Sequence, residues 1–391
     1  MADEQFDVVI VGGAIMGAAV AYFLTHDPGF RGSVAVIERD PTYARSATTL
    51  SAASIRQQFS TPENIRMSRF GVTFLREIRE RFGADADVAF HEGGYLLLAG
   101  ASGAAVLNAN QTVQRSEGAD IALMDPELLK RTFPWLSVEG LAAGALGRSG
   151  EGWFDAHMLL QLLRRAAQAR GATFMHAEAV GIDRDGGRIT GVTLADGRRL
   201  GCGVLVNAAG PQAGTVAALA GVPLPVEPRK RCVFVVACRT ALPGMPLIVD
   251  PSGFWIRPEG SVFLCGMPPA ETEDVRADDD FEIAYGLFED VLWPALAARI
   301  PAMEALKLQR AWAGHYDFNT VDHNAIIGPH PEIGNLLFIN GFSGHGVQHA
   351  PAAGRAVAEL IVHGRFVSLD LSILNYERLA AGRPVRELNV I

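Results

Sequence analysis

The chain begins with an apolar run, a glycine-rich turn and a stretch of small residues. Residues 7–11 are apolar after the first position and predict a strand, and residues 12–17 form the turn. The small side chains that follow predict a helix, and a second apolar run at residues 34–37 ends in Glu38. This order of strand, turn, helix and strand is typical of a parallel α/β unit.

Two later helices are predicted by different signals. Residues 155–170 start with an aspartate, which favours a helix start, and then carry a leucine stripe. Residues 351–362 predict a helix after an apolar strand at residues 336–339. Both helices are expected to belong to the unit that contains the first strand.

Short apolar runs separated by turn residues predict antiparallel strands. A hairpin is expected at residues 189–200 around Asp196 and Gly197, and an apolar strand follows at residues 204–206. A meander is expected farther on, from four runs at residues 233–237, 247–250, 254–257 and 262–265. The predicted helical and antiparallel regions therefore interleave along the chain.

Composition and charge limit the possible partners. The 391 residues are 49% hydrophobic and 20% charged, which describes a globular chain long enough for two domains. The net charge of -9 and the pI of 5.6 give no electrostatic reason to expect nucleic acid or an anionic membrane as a partner. The apolar stretch at residues 95–107 is too short to cross a bilayer, and no signal sequence precedes the first strand. We expect no integral membrane segment and a cytoplasmic location.

The cysteines predict neither a metal site nor a redox motif. Neither a CxxC pair nor the Cys/His spacing of a zinc site is present. Four buried, reduced thiols are expected, at Cys202, Cys232, Cys238 and Cys265.

The turn at residues 12–17 has the chemistry of a dinucleotide pyrophosphate site. Glycine allows backbone amides to approach the phosphates, and the helix N-terminus favours their negative charge. Ala14 replaces the second glycine of the usual fingerprint, which is a mild change. Glu38 follows Gly17 by about 20 residues, the spacing of a carboxylate that binds ribose hydroxyls. An ordinary glycine-rich turn is the alternative, and the turn by itself does not distinguish NAD from FAD.

Three segments of small residues are candidates for the rest of the cofactor site. Residues 45–59 are rich in serine, threonine and alanine and suit close passage of the backbone beside a flat ring, although a surface loop is the alternative. Residues 207–210 lie at the carboxyl end of a strand, where parallel sheets bind ligands. Residues 341–346 read Gly-Phe-Ser-Gly-His-Gly and follow another strand.

Together with the glycine turn, these segments resemble the D-amino-acid oxidase superfamily of flavoenzymes, which includes sarcosine oxidase, glycine oxidase and D-amino-acid dehydrogenases. The resemblance covers nearly the whole chain, and the Gly-Phe-Ser-Gly-His-Gly turn is specific. Four stretches, residues 51–64, 226–231, 311–331 and 341–358, most resemble a mitochondrial FAD-dependent oxidoreductase linked to the assembly of respiratory complex I.

The resemblance implies an α/β (α+β) fold in which a Rossmann-like FAD-binding domain is interleaved with an antiparallel-sheet substrate domain. The FAD-binding domain would comprise residues 1–90, 145–225 and 320–391, and the substrate domain, or lid, residues 91–144 and 226–319. The residues expected to contact FAD are Gly12, Gly13, Ala14, Ile15, Met16, Gly17, Glu38, Arg39, Arg45, Ser46, Ala47, Thr48, Thr49, Ser51, Ala52, Ala53, Val180, Ala208, Ala209, Gly210, Gly314, Gly341, Gly344, His345, Gly346, Val347 and Gln348.

Arg56 is the first candidate for the substrate side of the flavin. Its guanidinium could bind a carboxylate through two parallel hydrogen bonds or lie beside the flavin N5 edge, and a solvated surface arginine is the alternative. One of residues 229–231 is expected to point inward, and aromatic and histidine side chains are expected nearby. The further candidates are Lys230, Trp255, Tyr316, Phe59 and His345.

Three positions depart from sarcosine oxidase. Gly314 stands where its flavin-linking cysteine would be, so FAD is expected to be non-covalent. Gln348 stands in place of its carboxylate-binding lysine, so other residues must bind a carboxylate. Leu264 stands near the position of the lysine credited with promoting the reaction with oxygen. Loss of that charge predicts a dehydrogenase that passes electrons to a quinone or carrier protein rather than rapidly to oxygen.

The predicted activity is oxidation of the C–N bond of an amino acid or an N-substituted amino acid to an imine. The residues show no second glycine turn after a strand, so no separate NAD(P)H site is predicted. Two alternatives stay open: an assembly or scaffold protein whose FAD is structural, and an FAD-dependent dehydrogenase of a 2-hydroxy acid or a polyol.

Overall fold

The structure is a computed structural model that describes residues 4–388. Strands within that range fall into three sheets of eight, eight and two strands. In chain order they are β1 Glu4–Val11, β2 Val34–Glu38, β3 Ser54–Ile55, β4 Tyr95–Ala99, β5 Ile121–Met124, β6 Ala143–Gly147, β7 Gly152–Trp153, β8 Thr173–His176, β9 Ala179–Asp185, β10 Arg188–Leu194, β11 Arg199–Asn207, β12 Val226–Ala237, β13 Leu247–Val249, β14 Trp255–Glu259, β15 Val262–Gly266, β16 Lys307–Asn319, β17 Ile326–Pro329 and β18 Leu336–Asn340.

Helices cover the faces of the two large sheets and connect their strands. The α-helices of the described residues are α1 Ile15–His26, α2 Pro62–Arg76, α3 Ile78–Phe82, α4 Ala101–Ser116, α5 Pro126–Thr132, α6 Ala156–Ala169, α7 Ala213–Leu219, α8 Trp293–Arg299, α9 Gly346–His363 and α10 Glu377–Ala380. Short 3-10 segments occur at Gly210–Gln212, Pro301–Ala305 and Ser372–Leu374, and a π-helical segment at Leu287–Leu292.

The first large sheet contains the predicted parallel unit. Its order is β17-β18-β11-β1-β2-β8, and β9 and β10 extend it from β11. β1 pairs in parallel with both β2 and β11. β10 and β11 form the predicted antiparallel hairpin, with Asp196 and Gly197 between them.

Close helix packing against this sheet depends on small residues. A Cβ atom added to Gly354 of α9 would lie 2.5 Å from the Cβ atom of Ala19 on α1, so the two helices touch backbone to backbone at this point. The helix predicted at residues 155–170 is α6, and the Asp155 carboxylate accepts the backbone N–H of Met158 at 2.8 Å. This is the N-cap bond that the sequence predicts.

The predicted start of the helix near residue 351 was wrong, because α9 already begins at Gly346. Proline is favoured in the first turn of a helix and is unusual farther inside it. Instead the end of the glycine-rich turn forms the first residues of the helix, and Pro351 lies within it.

The second large sheet contains the predicted meander, in the order β16-β12-β15-β14-β13-β4-β6-β5. β13, β14, β15 and β12 are antiparallel neighbours, as expected, whereas β13 pairs in parallel with β4. The first sheet draws strands from both ends and the middle of the chain, and the second from the two stretches between. The FAD-binding ranges 1–90, 145–225 and 320–391 and the lid ranges 91–144 and 226–319 stay a prediction, and β6 of the second sheet crosses the boundary between residues 144 and 145.

Two remaining features concern the cysteines and the membrane. Cys202, Cys232 and Cys265 are buried and unpaired, whereas Cys238 is half-buried, so the prediction of four buried thiols was wrong at that position. Cys238 lies at the end of β12, beyond the strand's buried part, and its thiol meets the carbonyl of Ala302. Within residues 4–388, no helix is long and apolar enough to span a bilayer.

Candidate functional site

A cavity of about 950 Å³ lies between the two large sheets. Its wall includes the carboxyl ends of β1, β2 and β11, where parallel sheets bind ligands. The predicted cofactor residues on the wall are Gly12, Ala14, Ile15, Met16, Glu38, Arg39, Arg45, Ser46, Ala47, Thr48, Ser51, Ala52, Ala53, Val180, Ala208, Ala209, Gly210, Gly314, Gly344, His345, Gly346 and Val347.

Five predicted cofactor residues are not part of that wall. Gly13 donates its N–H to the Glu38 carboxylate at 2.9 Å, and Thr49 shares a hydrogen bond of 3.0 Å with His157. Gly17 and Gly341 pack against protein atoms. The side-chain oxygen Oε1 of Gln348 accepts the backbone N–H of Arg56 at 2.8 Å. These five residues contact other protein atoms and do not line the cavity.

The glycine turn leaves no room for side chains at two positions. Gly12 has φ +100, and a Cβ atom there would lie 2.3 Å from the backbone oxygen of Ala208. A Cβ atom on Gly17 would lie 1.9 Å from the backbone oxygen of Gly12. The turn therefore brings β1, β11 and the start of α1 together, with the helix N-terminus beside the cavity.

The loop at residues 45–53, the flavin loop, is held by hydrogen bonds from the lid. The Trp312 indole donates to the backbone oxygen of Leu50 at 2.9 Å. The Arg257 guanidinium donates to the backbone oxygen of Ala52 from Nε at 3.1 Å and from Nη2 at 2.9 Å. Ala53 has φ +48, a conformation that costs a residue with a Cβ about 1–2 kcal/mol. The lid contacts therefore hold the loop in a strained shape against the cavity.

Arg56 is buried and lies on the cavity wall. Its Nη2 donates to His345 Nε2 at 3.0 Å, its Nη1 makes a long bond of 3.4 Å to the Tyr95 hydroxyl, and the Phe59 ring lies 4.6 Å away. Within the described residues its Nε has no hydrogen-bond partner. The Arg56 guanidinium also lies on the cavity wall, where its remaining N–H groups can donate to a ligand oxygen.

His345 is neutral in this arrangement. Burial and then the Arg56 charge hold the pKa of His345 well below its usual value. Because arginine can only donate, Nε2 is the acceptor and the proton of the neutral ring is on Nδ1. His345 therefore orients the Arg56 guanidinium and brings no negative charge to it.

Arg231, rather than Lys230, reaches the cavity. Side chains alternate along β12, so these neighbours face opposite sides of the sheet. Lys230 pairs with Asp280 outside the wall, whereas Arg231 lies on the wall with Asp274 bonded to it at 2.7 and 2.8 Å. Lys230 therefore leaves the set of substrate-side candidates because of the strand's register.

Tyr316 and Trp255 both line the cavity. Burial raises the pKa of the Tyr316 hydroxyl, whose ring lies 5.2 Å from the Arg231 guanidinium. The apolar residues on the lid side of the wall include Leu247, Val249, Trp255 and Met267.

Sequence reasoning did not select Tyr95, Asp317 or Glu151. Tyr95 and Asp317 line the cavity, and Asp317 accepts the N–H of Phe342 at 3.1 Å. Burial raises the pKa of the Asp317 carboxyl to about 6. Each of these three residues lies in or beside a strand and belongs to no local sequence motif. Only the long-range pairing of strands could have identified them.

The chain matches the model of one protein family, described as FAD dependent oxidoreductase (DAO), over residues 7–360. The protein belongs to this family. It is thus an FAD-dependent oxidoreductase by family, and the resemblance to the D-amino-acid oxidase superfamily is confirmed.

Several members of the DAO family are similar over nearly the whole chain. FAD-dependent oxidoreductase domain-containing protein 1 of Xenopus laevis is 43% identical, covering 99% of this chain and 85% of that protein. Sarcosine oxidase subunit beta of Rhizobium meliloti is 26% identical, and the match covers 92% of this chain and 85% of that protein. The crystal structure of L-proline dehydrogenase from P. horikoshii superposes with a TM-score of 0.86 at 26% identity. The superposition covers 98% of this chain and 100% of that one.

The residues of this DAO protein fit FAD. The glycine turn and the α1 N-terminus suit a pyrophosphate, and Glu38 at the end of β2 suits a ribose. The small side chains of the flavin loop leave the cavity open, and the Arg56 side chain lies on the cavity wall. No group of His, Cys, Asp and Glu suited to a metal ion occurs within residues 4–388.

Glu151 is a fully buried carboxyl behind Arg56. Its Oε1 accepts the backbone N–H of Gln57 at 2.5 Å and its Oε2 accepts the Gln58 amide at 2.8 Å. Burial raises the pKa of Glu151 to about 8, although these bonds and the Arg56 charge oppose the rise. The carboxyl is therefore protonated in the folded protein at pH values where it is ionised in the unfolded chain.

Glu151→Gln is expected to flatten the dependence of stability on pH. Because the folded pKa is raised, the stabilisation is complete below the unfolded value of 4.5 and is lost as pH rises toward about 8. One proton contributes a slope of at most about 1.36 kcal/mol per pH unit. Thermal unfolding from pH 5 to pH 8 measures the slope. The exposed Glu127→Gln is the matched control and should keep the wild-type slope; equal slopes in all three proteins would contradict the raised pKa.

Proposed function

We propose that this protein oxidises the C–N bond of an amino acid or an N-substituted amino acid to an imine, which water then hydrolyses. The names of similar proteins support this class of substrate, since they include sarcosine oxidase subunit beta and L-proline dehydrogenase. FAD, when bound, supplies the two-electron acceptor for the hydride. The protein's own residues would bind the substrate, orient it and exclude water.

The buried Arg56 guanidinium carries this proposal. It lies on the wall of the cavity that fits FAD, and neither the neutral His345 nor the protonated Glu151 brings a negative charge to it. A carboxylate would meet that charge through charge-assisted hydrogen bonds, which are the strong class of hydrogen bond. The amino acid would then be held by its carboxylate, with the carbon that bears nitrogen turned toward the flavin loop.

The lid side of the wall would exclude water from the reacting carbon. Leu247, Val249, Trp255 and Met267 bring apolar side chains to the cavity. Tyr316 adds a hydroxyl to the lid side of the wall, and burial keeps that hydroxyl protonated by raising its pKa. In such a site the electrostatic interactions of Arg56 are stronger than in water.

The proposed electron acceptor is a quinone or a carrier protein rather than oxygen. Leu264 is buried in β15 and brings no charge to the lid, and Lys230 pairs with Asp280. Gly314 leaves no side chain for a covalent link at that position, so we propose that FAD is non-covalent and released by denaturation. The cytoplasm stays the proposed location.

Anaerobic reduction of the FAD-loaded protein tests the substrate class. We expect loss of flavin absorbance with at least one compound in a panel of N-methyl amino acids, D-amino acids and cyclic secondary amines. Reduction only by a 2-hydroxy acid or glycerol phosphate would replace the amine with an alcohol substrate. No reduction by any compound would favour a structural FAD in an assembly protein.

The same preparation tests the electron acceptor. After anaerobic reduction, the protein is mixed with either air-saturated buffer or a soluble quinone analogue, and the return of flavin absorbance is followed. We expect faster reoxidation by the quinone. Rapid formation of hydrogen peroxide with the best substrate would show that the protein is an oxidase.

A further inference from the structure

A buried cation lies directly across the lid from Leu264. Arg257 of β14 is the register partner of Leu264 on β15, so the two side chains are on the same face of the sheet. The Arg257 side chain is 5% exposed. Leu264 and the rest of β15 bring no positive charge to the lid, and the neighbouring strand supplies one.

The Arg257 guanidinium is aimed at the flavin loop. Its Nε and Nη2 converge on the backbone oxygen of Ala52, and Nη1 bonds the backbone oxygen of Pro258 at 3.1 Å and the Glu259 carboxylate. The Trp153 ring lies 5.4 Å from it. Ala52 lines the cavity, whereas Arg257 does not, so its charge lies directly behind the cavity wall.

The positive charge of Arg257 is only partly compensated. Glu259 is the carboxylate paired with it, and that side chain is 50% exposed, so water screens its negative charge. Arg257 is buried in a region of lower dielectric, where a charge acts over a longer distance. Arginine keeps its proton at neutral pH even though burial lowers the pKa of Arg257.

We infer that Arg257 has two roles: it positions the flavin loop through the Ala52 carbonyl, and its charge stabilises the reduced form of the bound FAD. Reduction by two electrons with uptake of one proton leaves the flavin with one additional negative charge. A fixed cation behind the wall favours that form, as preorganised charges favour developing charge in other enzyme sites. The inference depends on FAD binding and not on the identity of the substrate.

The flavin midpoint potential tests the electrostatic role. It is measured by equilibrating the FAD-loaded protein with a redox dye during slow anaerobic reduction. For Arg257→Gln we expect the equilibrium constant for reduction to fall at least about tenfold, or about 30 mV for a two-electron couple. Arg257→Lys keeps the charge and should stay within about twofold of wild type.

Trp312→Phe is the matched control for the positioning role. It removes the other hydrogen bond from the lid to the flavin loop, at Leu50, and changes no charge. We expect its midpoint potential to equal that of the wild type, although its FAD affinity falls. Equal shifts in Arg257→Gln and Trp312→Phe, or no shift in either, would show that Arg257 only packs against the loop.

Glu259→Gln gives a second measurement if Arg257→Gln does not retain FAD. The substitution removes the exposed partner carboxylate and leaves Arg257 in place. At low ionic strength the midpoint potential should rise, and added salt should reduce the rise because it screens exposed charges. An unchanged or lower potential in Glu259→Gln would overturn the inference.

Discussion

Replacement of Gly12 by valine is expected to give protein that retains less than about a tenth of its FAD. A Cβ atom at this position would lie 2.3 Å from the backbone oxygen of Ala208, and φ is +100. The nearest atoms all belong to the backbone of Ala208 and Ala209, which cannot move away without separating β1 from the end of β11. The left-handed conformation adds about 1–2 kcal/mol for a residue with a Cβ, and β-branched residues tolerate it poorly. The ratio of flavin to protein absorbance after purification measures the loss.

Gly364→Val is the matched control for this prediction. Gly364 also has positive φ, at +69, but a Cβ atom there would have no neighbour within 4 Å. It ends α9 and is not part of the cavity wall. We expect lower thermal stability and full FAD content. A Gly12→Val protein with normal FAD content would show that the turn does not approach the cofactor.

Replacement of Arg56 by methionine is expected to slow flavin reduction by the best amino acid substrate about 10- to 150-fold at low substrate concentration. Hydrogen bonds to charged groups contribute about 1.5–3 kcal/mol, and 1.4 kcal/mol corresponds to tenfold. Methionine retains much of the side-chain volume beside Phe59 and removes the charge. Anaerobic stopped-flow reduction measures the rate. The loss should be much smaller with an amine that lacks the carboxylate.

Arg231→Met is the matched control for Arg56. Arg231 also lies on the cavity wall, but Asp274 already bonds it through both carboxylate oxygens. An arginine that is paired in this way has less charge to offer a ligand, so we expect only a small loss in the rate of reduction. A larger loss in Arg231→Met than in Arg56→Met would move the carboxylate site to Arg231.

The glycine turn was predictable because all of its information is local. An apolar strand, a turn at residues 12–17 and Glu38 at the end of the next strand lie within one α/β unit, and the structure has all of them. The same holds for the hairpin between β10 and β11, where Asp196 and Gly197 determine the turn. Local backbone preferences and the period of apolar residues are sufficient for such elements.

The choice between Lys230 and Arg231 shows where local information ends. A period of two establishes that these neighbours face opposite sides of β12, but not which side meets the cavity. That depends on the pairing of β12 with β16 and on the position of Asp280. Thr49 is a similar case, because it belongs to the flavin loop and yet bonds His157 instead of facing the cavity.

The family, the cofactor and the position of the glycine turn could be predicted from short segments of the sequence, since each depends on motifs of a few consecutive residues. How distant residues combine became visible only in the folded protein. Arg56 meets His345, 289 residues away, and Arg257 meets Ala52, 205 residues away. The physical reason is that a side chain's charge and hydrogen bonds depend on burial and on partners, and both arise only when the two sheets close around the cavity.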